Sequence, residues 1–534
     1  MYGWKLTLAL GALLLVLAAG AMLDVMGVDA AQYAGMARDM LSLDHRPADA
    51  TWLKLYYRGN NYLDKPPLLF WLSALSFKLF GVHNWSYKLP SILYALLGMY
   101  ATYRFAKLHY PDALARTAAL MFGSSVAFVL MTNDVRTDTM LMGSVMAAIW
   151  LGSAWIEQRR WWQLVGCAVA IASGMLAKGP MGLMAPALAL GGHVLLARRL
   201  DVLRDIRWAL VLPLVAVLLV PMCIGLYEQH GIQGIRFYFW EQSFGRITGE
   251  NRWKDDSTFL FFSHEVLWQL LPWTVFLLAG LWLSFKALWK RTALPEYVSI
   301  SGVFLVFTAI SLSQFKLPHY LYVILPLFSV IAAWGWHSVL EPWVMRVHAM
   351  VLLILWCFAL VLVLWSFPDG GLPFAALLVA VALLAVFYLR QHRDRNGVFL
   401  LGFHVFMAIA ITLNGHFYPE LLRYQGNAQA GKWAAKQGLG INNFYGMQLS
   451  GSALDFYAGY PVHWLSNAEE AARVIAPGVV VYTDLLRKQE LEEAGFVPKE
   501  ILPVMYYDVQ LLGSEFLVPE QRTDVLRQHY LLRF

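Results

Sequence analysis

Charge is scarce in this chain, and the scarcity excludes most soluble folds. Asp, Glu, Lys and Arg together make up 14% of 534 residues while 59% are hydrophobic, with a mean hydropathy of +0.52. A soluble protein could not hide that much apolar surface, so the composition is that of a polytopic membrane protein. The imbalance of charge is also slight. A net +6 over this length, carried largely by short loops, is no footprint for nucleic acid. Cysteine is scarcer still. Cys167, Cys223 and Cys357 all fall inside apolar runs, where a thiol behaves as a small hydrophobe, so neither a disulfide framework nor a cysteine metal site is expected. Repeats of clear period and low-complexity tracts are absent.

What is present is a series of apolar segments. A spanning helix needs about 20 mainly apolar residues. That measure predicts spans near 6–23, 88–107, 112–131, 137–156, 160–177, 180–197, 206–226, 262–287, 296–313, 317–338, 346–366, 372–390 and 396–414. The first could pass for a secretory signal, but the many spans that follow favour an uncleaved first transmembrane helix. The positive-inside rule sets the orientation. Short loops after even-numbered spans hold Lys107, Arg159, Arg160, Arg198, Arg199, Arg204, Arg207, Lys286, Lys290, Arg291, Arg390, Arg393 and Arg395, which places them in the cytoplasm. The long loops 24–87 and 227–261, and everything after 415, then lie outside. The expected organisation is a transmembrane catalytic domain over 1–415 followed by an external domain over 416–534.

The first loop is the organising stretch. AAQYAGMARDML has helical spacing, and PPLLFWLSALSFKLFG is an apolar helix opened by a double proline. Both are expected to lie in the interface plane. The second long loop, IRFYFWEQSFGRITGENRWKDD, mixes aromatic anchors with charge, and the two loops are expected to cover a common cavity. After 415 the texture changes. NNFYGMQL, VHWLS and VVVYTDLL read as strands and GNAQAGKWAAKQ, NAEEAARVIA and LLRKQELEEAG as helices, which predicts a small α/β domain. It carries no phosphate loop, zinc pattern or catalytic triad.

Three external polar sites, far apart in sequence, are brought to one face by this topology: Asp29 with Tyr33, the turn Asp64-Lys65-Pro66-Pro67, and Asp134-Val135-Arg136-Thr137-Asp138. Asp134 reads as a helix N-cap, and the spacing of four predicts that it shares a helix face with Asp138. Asp138 sits one turn deeper, where an unpaired charge is expensive. Lys65, Lys178 in AKGPMG and Lys316 in SQFKLPHY each stand at a helix end beside proline or Gly-Pro. Arg246 and Arg252 come from the other long loop. Any one of these lysines is explained equally well as a snorkelling anchor. Together, cations gathered on the acidic external side point to an anionic ligand at the interface, such as a lipid-borne phosphate or pyrophosphate. His264 and Glu265 form a lone HE pair, too little for a metal site.

In order, the chain shows a first-loop Asp, an ARDML helix, a DKPP turn, an RTDTML segment entering the fourth span, a KGP turn, E-x-x-x-x-R in the aromatic loop and S-x-x-x-x-K-L-P-x-Y. This order resembles the bacterial aminoarabinose lipid A transferases and their relatives the protein O-mannosyltransferases, GT-C glycosyltransferases that use polyprenyl-phosphate sugar donors. The resemblance covers about residues 1–415. It implies a GT-C-like helical fold with about thirteen spans. It implies Asp29 and Asp138 as catalytic acids, and Lys65, Lys178, Arg246 and Lys316 at the donor phosphate. Tyr33, Arg58, Asp64, Asp134 and Tyr320 are assigned to the substrates. Ala30 and Gln32 stand where that family often has Glu and Arg, leaving the donor sugar and the acceptor open among lipid A, other glycolipids and proteins. No cofactor is required by this scheme, and the expected partners are the lipid-linked donor, the acceptor and membrane lipids, with no nucleic acid. A flippase or transporter for a lipid-linked or anionic solute is the alternative, set against the concentration of charge at helix ends rather than at the midplane. A scaffold that recruits a partner through the last domain is a third, and it leaves the acid and lysine sites without a role.

Overall fold

The computed structural model describes residues 3–42, 47–242, 245, 256–339, 341–391, 394–449 and 451–534. Each of the thirteen predicted spans is helical over most of its length. The apolar runs leave the backbone no hydrogen-bonding partner but itself, which is the reason for helices here. Among the described residues, seven helices are long and apolar enough to cross a membrane, and an eighth is counted if Asp112–Gly123 and Val126–Asn133, bent by 52°, form one broken span. The expected span at 262–287 is likewise divided, into Phe261–Gln269 and Thr274–Trp289, with Pro272 between them.

The bundle is organised around Thr137–Gln158. Some 89% of its apolar window is buried, whereas Ile206–Glu241 is 22% and Leu372–Gln391 17% buried. Those two show Leu, Val, Phe and Ile all round, the surface expected of helices facing lipid. Close packing inside relies on small residues: a Cβ at Gly280 would meet the Ile331 carbonyl oxygen at 2.1 Å, and one at Gly335 would meet that of Phe276 at 2.1 Å. Thr274–Trp289 and Leu325–Ser338 therefore cross backbone to backbone.

A fully buried Lys88 ties the first span to the helix Asn84–His109. Its Nζ donates to the carbonyls of Gly20 (3.0 Å) and Leu23 (2.7 Å), which end the helix Gly3–Met22. Lys88→Met keeps the stem but strands both acceptors. Thermal unfolding of that variant in detergent should show a loss of about 2–3 kcal/mol, and an unchanged melting temperature would refute the capping role.

The first loop contains two helices, Val28–Asp39 and Leu68–Phe80, as the pattern predicts, and a short hairpin of β1 (Tyr56–Tyr57) and β2 (Asn60–Asn61) between them. The C-terminal segment forms a five-stranded mixed sheet in the order β4-β3-β5-β7-β6, with β3 (Phe444–Met447), β4 (His463–Leu465), β5 (Val480–Asp484), β6 (Glu500–Tyr506) and β7 (Arg527–Arg533). β3 runs parallel to β4 and β5, and β7 antiparallel to β5 and β6. The first three were legible in the sequence and the last two were not. Both faces are covered: Phe444, Val480 and Tyr482 pack on Ala430, Ala434 and Leu454, while Tyr445 and Val481 face Ala471 and Leu491.

Candidate active site

A cleft enclosing about 1160 Å³, open water at its mouth included, lies at the end of the bundle beneath the first loop. Its walls bring together six of the residues singled out in the sequence: Asp29, Tyr33, Lys65, Asp138, Lys178 and Tyr320.

Local structure puts each there. Asp29 occupies the first turn of Val28–Asp39, where the helix dipole favours a carboxylate, and it is exposed to the cleft. Tyr33 follows one turn later on the same face. It is 3% exposed, its ring edge-on to Phe70 at 5.5 Å. Burial, with Tyr62, Asp29 and Asp64 nearby, pushes its phenol far above the usual range, so it stays neutral and can donate a hydrogen bond. Lys65 is fixed by the turn before Pro66 and Pro67, with its Nζ 2.5 Å from Asp64 Oδ2. Gln242, from the second long loop just after the helical turn Phe237–Glu241, donates to the Asp64 carbonyl, so the two loops do meet over this cleft.

Asp138 and Lys178 form the deepest part. Asp138 lies in the first turn of Thr137–Gln158 and Lys178 ends Trp161–Lys178; each terminus favours the charge it carries. Gly179, at φ 75°, turns the chain sharply there, and Pro180 leads into the next helix. Lys178 Nζ donates to Asp138 Oδ1 and stands 4.2 Å from the centre of the Tyr320 ring. His319 Nε2 is 3.8 Å from the other oxygen, Asp138 Oδ2, too far for a hydrogen bond.

The other expected residues lie elsewhere. Asp134 does not share a helix face with Asp138: it is extended, before the helix begins, and accepts hydrogen bonds from the backbone N–H of Gly27 (2.8 Å) and Met26 (3.4 Å). It sets the entry to the Asp29 helix instead. Lys316, 7% exposed, donates to the Ser257 carbonyl at 3.1 Å and pins the end of the second loop. Arg58, expected at the substrate, grips Asp455 of the C-terminal segment in a two-pronged ion pair, 2.8 Å to Oδ2 and 2.6 Å to Oδ1. Asp64 does not line the cleft but borders it, paired with Lys65 and accepting from Gln242. Arg246 and Arg252 lie outside the described residues.

Among the cleft residues not assigned to it beforehand are the polar Arg136, His319 and Gln242. The signal for the first two was available, because they sit inside the RTDTML and KLPHY segments beside residues that were chosen. His264 and Glu265 are 3.0 Å apart, and among the described residues no group of three or more His, Cys, Asp or Glu is arranged to hold a metal ion.

Over 99% of this chain and 98% of the other, the structure matches the crystal structure of ArnT from Cupriavidus metallidurans bound to undecaprenyl phosphate, with a TM-score of 0.75 at 19% identity. The fold is that of a GT-C glycosyltransferase. The apo form of the same protein matches with a TM-score of 0.73. Residues 64–224 match the family described as dolichyl-phosphate-mannose-protein mannosyltransferase, a region that contains Lys65, Asp138 and Lys178. The undecaprenyl phosphate-alpha-4-amino-4-deoxy-L-arabinose arabinosyl transferase of Pseudomonas savastanoi pv. phaseolicola is 26% identical over 305 residues, 55% of this chain and 54% of the relative. Its counterpart in Edwardsiella ictaluri is 26% identical over 317 residues, 57% and 53% of the two chains. The chain thus spans about half the length of the curated relatives it matches. This GT-C resemblance is the one the motif order implied.

Proposed function

We propose that the chain is an inverting glycosyltransferase that moves a sugar from a polyprenyl-phosphate donor to a lipid A, other glycolipid or protein acceptor. Its site faces the periplasm from the bacterial inner membrane, with the domain over 416–534 on the same side. The observation that carries this reading is the convergence of two carboxylates and two lysines, Asp29, Asp138, Lys65 and Lys178, in one cleft at the end of an apolar bundle. The GT-C fold and the donor named in the relatives' own descriptions support it.

The chemistry follows from the charges. The bond that breaks joins the anomeric carbon to the phosphate oxygen, and its electron pair leaves on the phosphate. Lys65 and Lys178, with Arg136 also lining the cleft, neutralise that developing charge as fixed, pre-placed cations. The acceptor oxygen forms the new bond from the opposite face. If that oxygen is a hydroxyl, its proton passes to Asp29; if it is an ionised phosphate, Asp29 orients it and steadies the positive charge on the sugar. Tyr33 and Tyr320 offer a donor and a ring face to the sugar.

The test is transfer by the purified chain in nanodiscs, supplied with extracted polyprenyl-phosphate sugars and a panel of lipid A, glycan and peptide acceptors. Consumption of donor with appearance of an inverted glycoside is expected. Donor left intact with every acceptor, while proteoliposomes move a lipid-linked sugar between leaflets, would replace the transferase with a flippase.

A further inference from the structure

The helix that carries Asp29 is held at both ends by the C-terminal domain. On the approach to it, Tyr457 OH accepts from the Val25 N–H at 2.8 Å and donates to Asn84 Oδ1 at 2.9 Å. Asn84 in turn donates to Asp24 at 3.0 Å, and Lys432 pairs with the other oxygen of Asp24. Gln425 Nε2 donates to the carbonyls of Val25 (3.1 Å) and Met26 (3.2 Å). At the far end, the buried Arg38 donates through Nη1 to the Asp455 carbonyl at 2.6 Å, while its Nε and Nη2 hold Asp39. The Asp455 carboxylate is occupied by Arg58 and by the Val462 N–H at 3.0 Å, and the Arg58 guanidinium lies 3.8 Å over the Trp464 ring. Between the two ends, Phe456 stacks on Phe77, and Tyr87 OH donates to the Ala30 carbonyl at 2.6 Å.

Buried polar groups of this kind specify one arrangement because each lost partner is costly. The bundle supplies its own holds on the same entry: Asp134 accepts from the Met26 and Gly27 N–H, Asn84 reaches Asp24 and Tyr87 reaches the Ala30 carbonyl. We infer that the C-terminal domain is the positioning element of the active site, with Tyr457 and Asp455 fixing the helix that presents Asp29. The inference rests on the proposed reaction for what Asp29 does, but the placement of the helix is measurable without turnover. Tyr457 and Asp455 touch no reacting atom. Tyr457 reaches the backbone at Val25, while the Asp455 carboxylate, held by Arg58 and the Val462 N–H, fixes the main-chain carbonyl that accepts from Arg38. A shift of about 1 Å in a reacting group is enough to cost on the order of a hundredfold in rate.

The experiment uses the full chain in nanodiscs and three variants, Tyr457→Phe, Asp455→Asn and Asp455→Glu. Hydrogen exchange over residues 24–41 is followed beside kcat, the donor KM and binding of undecaprenyl phosphate. Tyr457→Phe removes one hydroxyl and keeps the ring, so the sheet stays folded, with exchange over residues 480–533 as the internal control. Exchange at 24–41 should quicken about tenfold or more in Tyr457→Phe and Asp455→Asn, and kcat should fall about 10- to 100-fold with KM and lipid binding unchanged; Asp455→Glu should recover part of both. Unchanged exchange at 24–41 overturns the inference, as does quickened exchange with full kcat. A wild-type protein that transfers no sugar would sink the proposed reaction, while the exchange data alone would still decide whether Tyr457 and Asp455 hold the helix.

Discussion

Asp29→Asn should lower the rate of transfer to a hydroxyl acceptor by about three orders of magnitude, within the range of a positioned general base, and leave donor binding intact. The amide has the shape of the carboxylate and stays in the first turn of the helix, so the loss reads chemistry rather than folding. Its setting differs from that of the other cleft carboxylate: Asp29 is exposed to the cleft, whereas Asp138 is 4% exposed and engaged by Lys178. A free carboxylate can take a proton and an engaged one holds geometry. With an ionised phosphate acceptor there is no proton to take, and the expected loss shrinks to about tenfold. Single-turnover transfer, measured against undecaprenyl phosphate binding, separates the two. A variant that turns over at the wild-type rate with a hydroxyl acceptor would remove Asp29 from the reaction.

The second large effect belongs to Lys178. Lys178→Met should destabilise the protein by about 3 kcal/mol, because removing one member of a buried pair leaves the other charged and alone. Adding Asp138→Asn should return most of that stability, since the double variant buries no uncompensated charge. On the proposed reaction transfer should remain lost in both, because one of the cations assigned to the leaving phosphate is gone. Thermal unfolding and transfer, measured on the two variants together, check the argument. A double variant no more stable than the single one would show that the pair is not coupled, and one that regained activity would show that Lys178 serves only to hold Asp138.

What could be read from the sequence at this site shares one physical property. Asp29, Lys65, Asp138, Lys178 and Tyr320 all sit where an apolar run stops, beside a proline, a glycine or a helix terminus, and a charge at such a point stands out against its surroundings. Arg58 stands out equally, yet its partner Asp455 lies 397 residues away, and nothing local distinguishes a domain clamp from a substrate contact. Lys88 was absorbed into a span because a lysine at a predicted helix end passes for a snorkelling anchor; its burial is set by where the first helix ends. The strands β6 and β7 escaped notice for a related reason. β6 contains Pro503 and has a mainly exposed edge, β7 opens with Arg527 and Gln528, and their pairing is fixed by β5 and by each other. Asp134 looked like a cap because Asp often is one, but it faces a loop that only the fold brings near.

The contacts around Asp24 also bear on the order in which the protein can become active. Asp24 and its partner Lys432 are 408 residues apart, so the stretch leading to Asp29 is made long before its fastenings in the C-terminal segment. Throughout synthesis of the bundle the nucleus of the site exists without its upper restraints. A ribosome that stalls, or a frameshift that strikes, between residues 415 and 425 would yield a membrane-embedded bundle whose cleft carboxylates and lysines are all present but whose Asp29 helix keeps only its holds from the bundle. On the proposed reading, competence therefore waits for the segment that carries Gln425, Lys432, Asp455 and Tyr457, and a bundle made without it should transfer sugar slowly, if at all.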